Sequence, residues 1–234
     1  FRAPRDDDFA EVEEGDEEIL QIERLGTPAV ERDHVRAEGL LQLRVAPELV
    51  QDHLRHSVAL DLDDGNVRTL SRLNESVLAQ TSLGKVESIT YAGSNQQPIQ
   101  MWVVYPPDFD PTKKYPVFML LHGGPHNAIQ DAVQWRWNAH VFASWGYIVT
   151  WHNFHGSSGF GQNFADAINP DRISKPYEDT IKAADWLASQ PFVDADRMVA
   201  GGGSYGGFLA STLLGRTHPF KALIAHAAVY NSFT

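Results

Sequence analysis

Short apolar runs separated by polar turns organise the second half of the chain. Val86 to Tyr91 and Ile99 to Tyr105 read as a strand pair around the polar turn Ser94 to Gln97, and Pro106-Pro107 ends the second strand. Tyr115 to Leu121 is continuously apolar over a strand's length, which predicts a strand covered on both faces. A helix follows from about Trp137 to Trp145, stopped by Gly146, and Tyr147 to Trp151 is a second buried strand. Residues 152–161, His-Asn-Phe-His-Gly-Ser-Ser-Gly-Phe-Gly, read as a loop. Pro176-Tyr177-Glu178-Asp179 then opens a helix with proline and two acids in its first turn, and Ile181, Ala184 and Leu187 share one face. A strand at Arg197 to Ala200 leads into Gly201–Gly207 and a helix from about Tyr205 to Leu214, and Phe220 to Ala225 is a further strand. Strands alternating with helices predict βαβ crossovers and a mostly parallel sheet with helices on both faces, an α/β fold.

Residues 19–65 alternate apolar and polar in shorter pieces (Ile19 to Ile22, Leu40 to Val45, Val58 to Leu62), with Asp63-Asp64-Gly65-Asn66 as a tight turn between two strands. The longest apolar stretches, such as Pro116 to Leu121 and Ala222 to Ala225, are far below the roughly 18 residues of a membrane span. No span is expected.

Composition narrows the chemistry. The 234 residues include no cysteine, which excludes disulfides, thiolate metal sites and a cysteine nucleophile. The net charge of −11 argues against nucleic acid as a partner, because phosphate neutralisation needs clustered Lys and Arg. Residues 1–18 hold nine of the 30 acids and only Arg2 and Arg5 as bases, so they carry −7 of the total. A metal-binding or partner-binding arm is one reading of this segment; a solvated, disordered terminus is the reading taken here. The chain opens at Phe1, without an initiator Met or a signal segment, so a processed, trimmed or omitted N-terminus is expected.

The strongest chemical signal is Gly202-Gly203-Ser204-Tyr205-Gly206, a G-x-S-x-G between a predicted strand and a predicted helix. There the chain must turn so sharply that glycine relieves the crowding and the serine hydroxyl is pushed out at the top of the sheet, which makes Ser204 a candidate nucleophile. A glycine-rich turn with an incidental serine competes. So does a dinucleotide loop, since Gly201, Gly203 and Gly206 also satisfy G-x-G-x-x-G, but that loop expects an acid about 20 residues on, and no Asp or Glu follows Asp196. The second signal is His122-Gly123-Gly124-Pro125, directly after the apolar strand. Alone it reads as a tight turn. Beside a nucleophilic serine, its backbone N–H groups (Gly124 or Gly123) together with that of Tyr205 suit an oxyanion. His122 and His126 are four apart and His152 and His155 three apart, yet glycine and proline forbid a helix between the first pair and the second pair sits in a loop. These histidines are read as structural or surface residues; neither a metal nor a cofactor is expected.

Residues 84–234 resemble the catalytic domain of the prolyl oligopeptidase family of serine peptidases, in the branch of acylaminoacyl peptidases and dipeptidyl peptidase V. The matching blocks run in family order: Tyr-Pro-Val-Phe-Met-Leu-Leu-His-Gly-Gly-Pro-His, Trp-Gly-Tyr-Ile-Val-Thr, Asn-Phe-His-Gly-Ser-Ser-Gly-Phe-Gly-Gln, Pro-Tyr-Glu-Asp-Thr, Asp-Ala-Asp-Arg-Met and Gly-Gly-Ser-Tyr-Gly-Gly. The resemblance implies an α/β-hydrolase fold, incomplete at its C-terminus, with Ser204 as nucleophile, Tyr205 and the His-Gly-Gly turn (Gly123, Gly124) as oxyanion hole, and a peptide substrate that loses short N-terminal units. Two departures stand out. His155 occupies a position where the family loop usually has Arg, and His122 stands where relatives of the dipeptidyl peptidase IV type carry Tyr. The resemblance also orders a triad as Ser, Asp, His. The 30 residues after Ser204 contain His218 and His226, read as structural, and no acid, so the triad Asp and His are expected outside this sequence.

The family's β-propeller uses at least four blades of roughly 40–50 residues. Residues 1–83 hold fewer than two, and Arg68 to Gln80 resembles a propeller exit. The expected organisation is an acidic segment 1–18, a β-rich segment 19–83 as propeller remnant and linker, and the N-terminal part of a hydrolase domain over 84–234. Such a piece of a larger enzyme is expected to be inactive alone. A non-catalytic domain that binds peptides or partners, and an esterase of the same fold, remain as alternatives. Analogy leans towards a periplasmic or secreted protein.

Overall fold

The computed structural model describes residues 58–60, 67–69, 75–130 and 136–229. In chain order its elements are β1 (Val58–Leu60), β2 (Val67–Thr69), α1 (Glu75–Leu78), β3 (Val86–Ala92), β4 (Pro98–Val104), β5 (Tyr115–Leu121), α2 (Ala139–Ser144), β6 (Ile148–His152), α3 (Gln162–Asp166), α4 (Ser174–Ala188), β7 (Val193–Gly203), α5 (Tyr205–Leu214) and β8 (Ala222–His226). The acidic segment 1–18 and the apolar pieces at 19–22 and 40–45 lie outside the described residues. β1 and β2 pair antiparallel with Leu60 opposite Val67, flanking the turn expected at 63–66, which is itself outside the described residues.

Six strands form one sheet in the order β3-β4-β6-β5-β7-β8. The β3–β4 and β4–β6 pairs are antiparallel, and β6–β5, β5–β7 and β7–β8 are parallel. The parallel part needs helical crossovers, and these supply the layers on the two faces. β5 lies in the middle and is buried from Val117 to Leu121. Its side chains alternate between faces. Val117, Met119 and Leu121 join Ile99, Met101, Ile148, Leu187, Leu209 and Leu213 in the larger core, while Phe118 and Leu120 join Val104, Val149 and Ala143. Each fully buried Leu, Ile or Met in these layers contributes about 1.5–3 kcal/mol.

Several boundaries differ from the pattern in the sequence. The helix expected from Trp137 begins at Ala139, because Trp137 takes a left-handed φ of 55° and the Asn138 side chain caps the helix by accepting from the N–H groups of His140 (3.0 Å) and Val141 (3.3 Å). The loop 152–161 runs into the five-residue α3, too short to show a helical period. α4 begins at Ser174 rather than Pro176, after the Asp171 carboxylate accepts the N–H of Ile173 (2.8 Å). Asp179 therefore falls beyond the first turn and is buried. β7 extends from Val193, with an irregular register where Tyr115 and Val117 meet it. No helix among the described residues is long and apolar enough to cross a membrane.

Candidate active site

β5 and β7 run parallel with Leu121 opposite Gly202, so the turns that follow them emerge side by side. A Cβ at Gly202 would come within 2.0 Å of the Leu121 carbonyl oxygen and one at Gly206 within 1.9 Å, so neither position accepts a side chain. Between them Ser204 adopts φ 55°, ψ −119°, a conformation that costs a non-glycine residue about 1–3 kcal/mol and persists only where its surroundings fix it. They do so from both directions. The Ser204 N–H donates to the His226 carbonyl (3.0 Å), and the Ser204 carbonyl accepts from the Phe208 N–H (3.0 Å). The side chain is exposed at the start of α5, and no side chain among the described residues hydrogen-bonds to its Oγ.

The turn after β5 comes close to this serine. A Cβ at Gly123 would stand 3.6 Å from that of Ser204, and Gly124 takes φ +119°, open to glycine. His122 sets the turn's orientation. Its ring is buried and stacked on Phe154 at 4.0 Å and 5°, its Nδ1–H donates to the Gly123 carbonyl (2.7 Å), and its Nε2 lies 2.9 Å from Ser157 Oγ. C=O and N–H point in opposite directions across a trans peptide. Holding the Gly123 carbonyl toward His122 therefore turns the Gly124 N–H away from it. Among the described residues the N–H groups of Gly124 and Tyr205 have no hydrogen-bond partner. Burial pushes the His122 pKa down from 6.5 to about 4, against a smaller opposing effect of the Gly123 carbonyl, so the ring is neutral at pH 7.

Behind the turn lies a network of buried polar groups. The Asp179 carboxylate on α4 accepts the Ser94 N–H (2.7 Å), the His155 N–H (2.8 Å) and the His155 ring at Nδ1 (2.7 Å). His155 Nε2 lies 2.8 Å from Gln97 Oε1, and its ring stacks on Phe164. One carboxylate thus ties the β3–β4 turn to the loop after β6. That loop carries Gly156, whose carbonyl accepts from His126 Nδ1 (2.9 Å), and Ser157, which meets His122. The His152 Nε2–H donates to Thr180 Oγ1 (3.0 Å), whose own proton goes to the Pro176 carbonyl. Desolvation, with a smaller repulsion from His122, pushes the His152 pKa down to about 3. Tyr205 anchors the far side of the elbow, its hydroxyl donating to the Arg172 carbonyl while burial pushes the phenol pKa up.

The structure thus brings Ser204, Tyr205, Gly123 and Gly124 together at one end of the sheet. His122, His152 and His155 point into separate hydrogen bonds, and no three His, Cys, Asp or Glu side chains gather as a metal site among the described residues. His218 precedes β8 and His226 ends it. Asp179 was legible only as an acid favourable near a helix N-terminus; its partner, His155 in an arginine position, was the available signal.

The model of the prolyl oligopeptidase family matches residues 133–234. Over this stretch the chain is similar to that family. A probable dipeptidyl-peptidase 5 of Aspergillus terreus is 41% identical over 170 residues, covering 71% of this chain and 24% of that protein. The chain spans about a quarter of the length of the curated relatives it matches. Among solved structures, the acylaminoacyl peptidase of Pyrococcus horikoshii superposes with a TM-score of 0.64 at 23% identity, over 71% of this chain and 26% of that one. Dipeptidyl peptidase 4 of Porphyromonas gingivalis superposes with 0.63 at 28%, over 73% and 25%. The sheet and its helices are those of an α/β-hydrolase fold, as the motifs implied.

Proposed function

We propose that this chain carries the nucleophile and oxyanion hole of a serine exopeptidase that removes dipeptides or acyl-amino acids from the N-termini of peptides. Ser204 Oγ attacks the scissile carbonyl and passes its proton to a histidine base, itself oriented by an aspartate; both lie outside this sequence. The N–H groups of Tyr205 and Gly124 receive the oxyanion as the tetrahedral intermediate forms. The C–N bond then breaks, the amine leaves with the proton from the base, and water releases the acyl group from Ser204. The observation that carries this reading is the conjunction at this turn: a serine in a strained conformation, exposed, beside two N–H donors that have no hydrogen-bond partner among the described residues. The names of the relatives, dipeptidyl-peptidase 5 and acylaminoacyl peptidase, support the substrate class.

The test is hydrolysis of dipeptidyl and acyl-aminoacyl amides by the native protein and its Ser204→Ala variant. The expected result is cleavage by the native protein that the variant loses. Cleavage that survives the substitution would overturn the assignment of Ser204. Turnover of acyl esters without amides would replace peptidase with esterase, and binding of peptides without turnover would make the domain non-catalytic.

A further inference from the structure

The end of β7 has a second border besides the glycine turn. A Cβ at Gly203 would stand 3.3 Å from Trp137 Nε1 and 3.5 Å from His226 Nδ1, so the two rings frame the residue next to the serine. They meet edge to face, with centroids 5.9 Å apart and planes at 72°. His226 is paired with Gly203 in the β7–β8 ladder, and its carbonyl holds the Ser204 N–H. Its side chain is exposed, and that of Trp137 is half-buried. Among the described residues neither the Trp137 indole N–H nor the His226 ring has a hydrogen-bond partner.

The backbone marks the same place. Among the described residues, six non-glycine residues take positive φ, and three of them, Trp137 (55°), Ser204 (55°) and Ala227 (45°), belong to the segments that meet here. Left-handed backbone at a bulky aromatic residue is a rare conformation, and such outliers gather at functional sites. At Trp137 the consequence is specific. α2 starts only after the Asn138 cap, and the indole lies beside Gly203 instead of in the helix's first turn.

We propose that Trp137 and His226 form a substrate-contacting wall beside Ser204, where the indole N–H donates to a backbone carbonyl oxygen of a bound peptide next to the scissile bond and the ring edges pack on the adjoining side chain. The inference rests on Ser204 being the nucleophile. Its chemistry favours peptides over small acyl donors: a peptide offers a second carbonyl as acceptor, and a substrate without one leaves the donor unpaired in the complex.

The experiment compares two rates in the full-length native protein and its Trp137→Phe variant: kcat/KM on dipeptidyl amides, and labelling of Ser204 by a small fluorophosphonate that offers no second carbonyl. Loss of one hydrogen bond predicts that the ratio of peptide hydrolysis to labelling falls about tenfold, chiefly through KM. An unchanged ratio, whether both rates hold or fall together, would overturn the proposal and leave Trp137 a packing residue. His226→Ala provides the second arm and is expected to lower the same ratio by a smaller factor, about threefold. If the native protein itself is not labelled, the reading of Ser204 fails instead, a result distinct from either outcome above.

Discussion

The two flanks of Ser204 are built differently. On the β5–β6 flank, His122, His155, Ser157 and Asp179 are buried, and each is hydrogen-bonded into the scaffold. On the β8 flank the strand is exposed along most of its length, Ile224 to 45%, with Leu214 and Val229 exposed beside it, and the His226 ring packs on Trp137 with no hydrogen-bond partner among the described residues. Parallel strands are ordinarily covered on both faces. The bonded flank fixes backbone direction, which an oxyanion hole requires before substrate arrives; the β8 flank is the side on which the proposed wall of Trp137 and His226 lies. On the two proposals above, preorganisation and recognition fall on opposite sides of Ser204.

Substitutions at the junction and on each flank can break that division. Ser204→Ala is expected to have the largest effect, lowering peptide turnover by about 10⁴-fold or more with no loss of folding, measured by kcat and by thermal melting. Asp179→Asn comes next. It weakens a buried carboxylate that accepts from three N–H groups, and about 3 kcal/mol of stability is expected to disappear, read as a lower urea midpoint at unchanged slope. An unaltered midpoint would remove the network from the account.

Acid should also strike the bonded flank. His122 and His152 have folded-state pKa values pushed down to about 4 and about 3 from 6.5, so the unfolded chain binds protons first as pH falls. Their contribution is full above about pH 6.5 and is lost progressively toward pH 3, which urea titrations at stepped pH measure. The slope should become shallower in His122→Gln. In the same variant the Gly123 carbonyl loses its ring partner, and kcat is expected to fall about tenfold to a hundredfold with little change in KM. The smallest effect belongs to the open flank: His226→Ala should shift stability by less than about 0.5 kcal/mol, and a larger loss would mean that this flank is scaffold as well.

How much of this was legible in the sequence depends on range. The apolar run 115–121 and the G-x-S-x-G announced themselves because each is a local pattern; β5 and α5 appear with the boundaries the pattern gives, while β7 extends beyond the expected 197–200 at both ends. The start of α2 was hidden by one left-handed residue, Trp137, which has the side chain of a helix interior and the backbone of a turn. Asp179 looked like an acid placed for the helix dipole. Its actual partners, Ser94 and His155, are 85 and 24 residues away, and no local spacing connects them. The turn proposed for the oxyanion stood between: His122-Gly123-Gly124 was visible as a motif, but the bond from the His122 ring to the Gly123 carbonyl that directs it needed the fold.

The central claim is that Ser204 is an activated nucleophile, and mapping a fluorophosphonate adduct in the native protein tests it most directly. The account predicts rapid modification at Ser204 alone, absent from Ser204→Ala. An unmodified Ser204, or a label that persists in the variant, would contradict it.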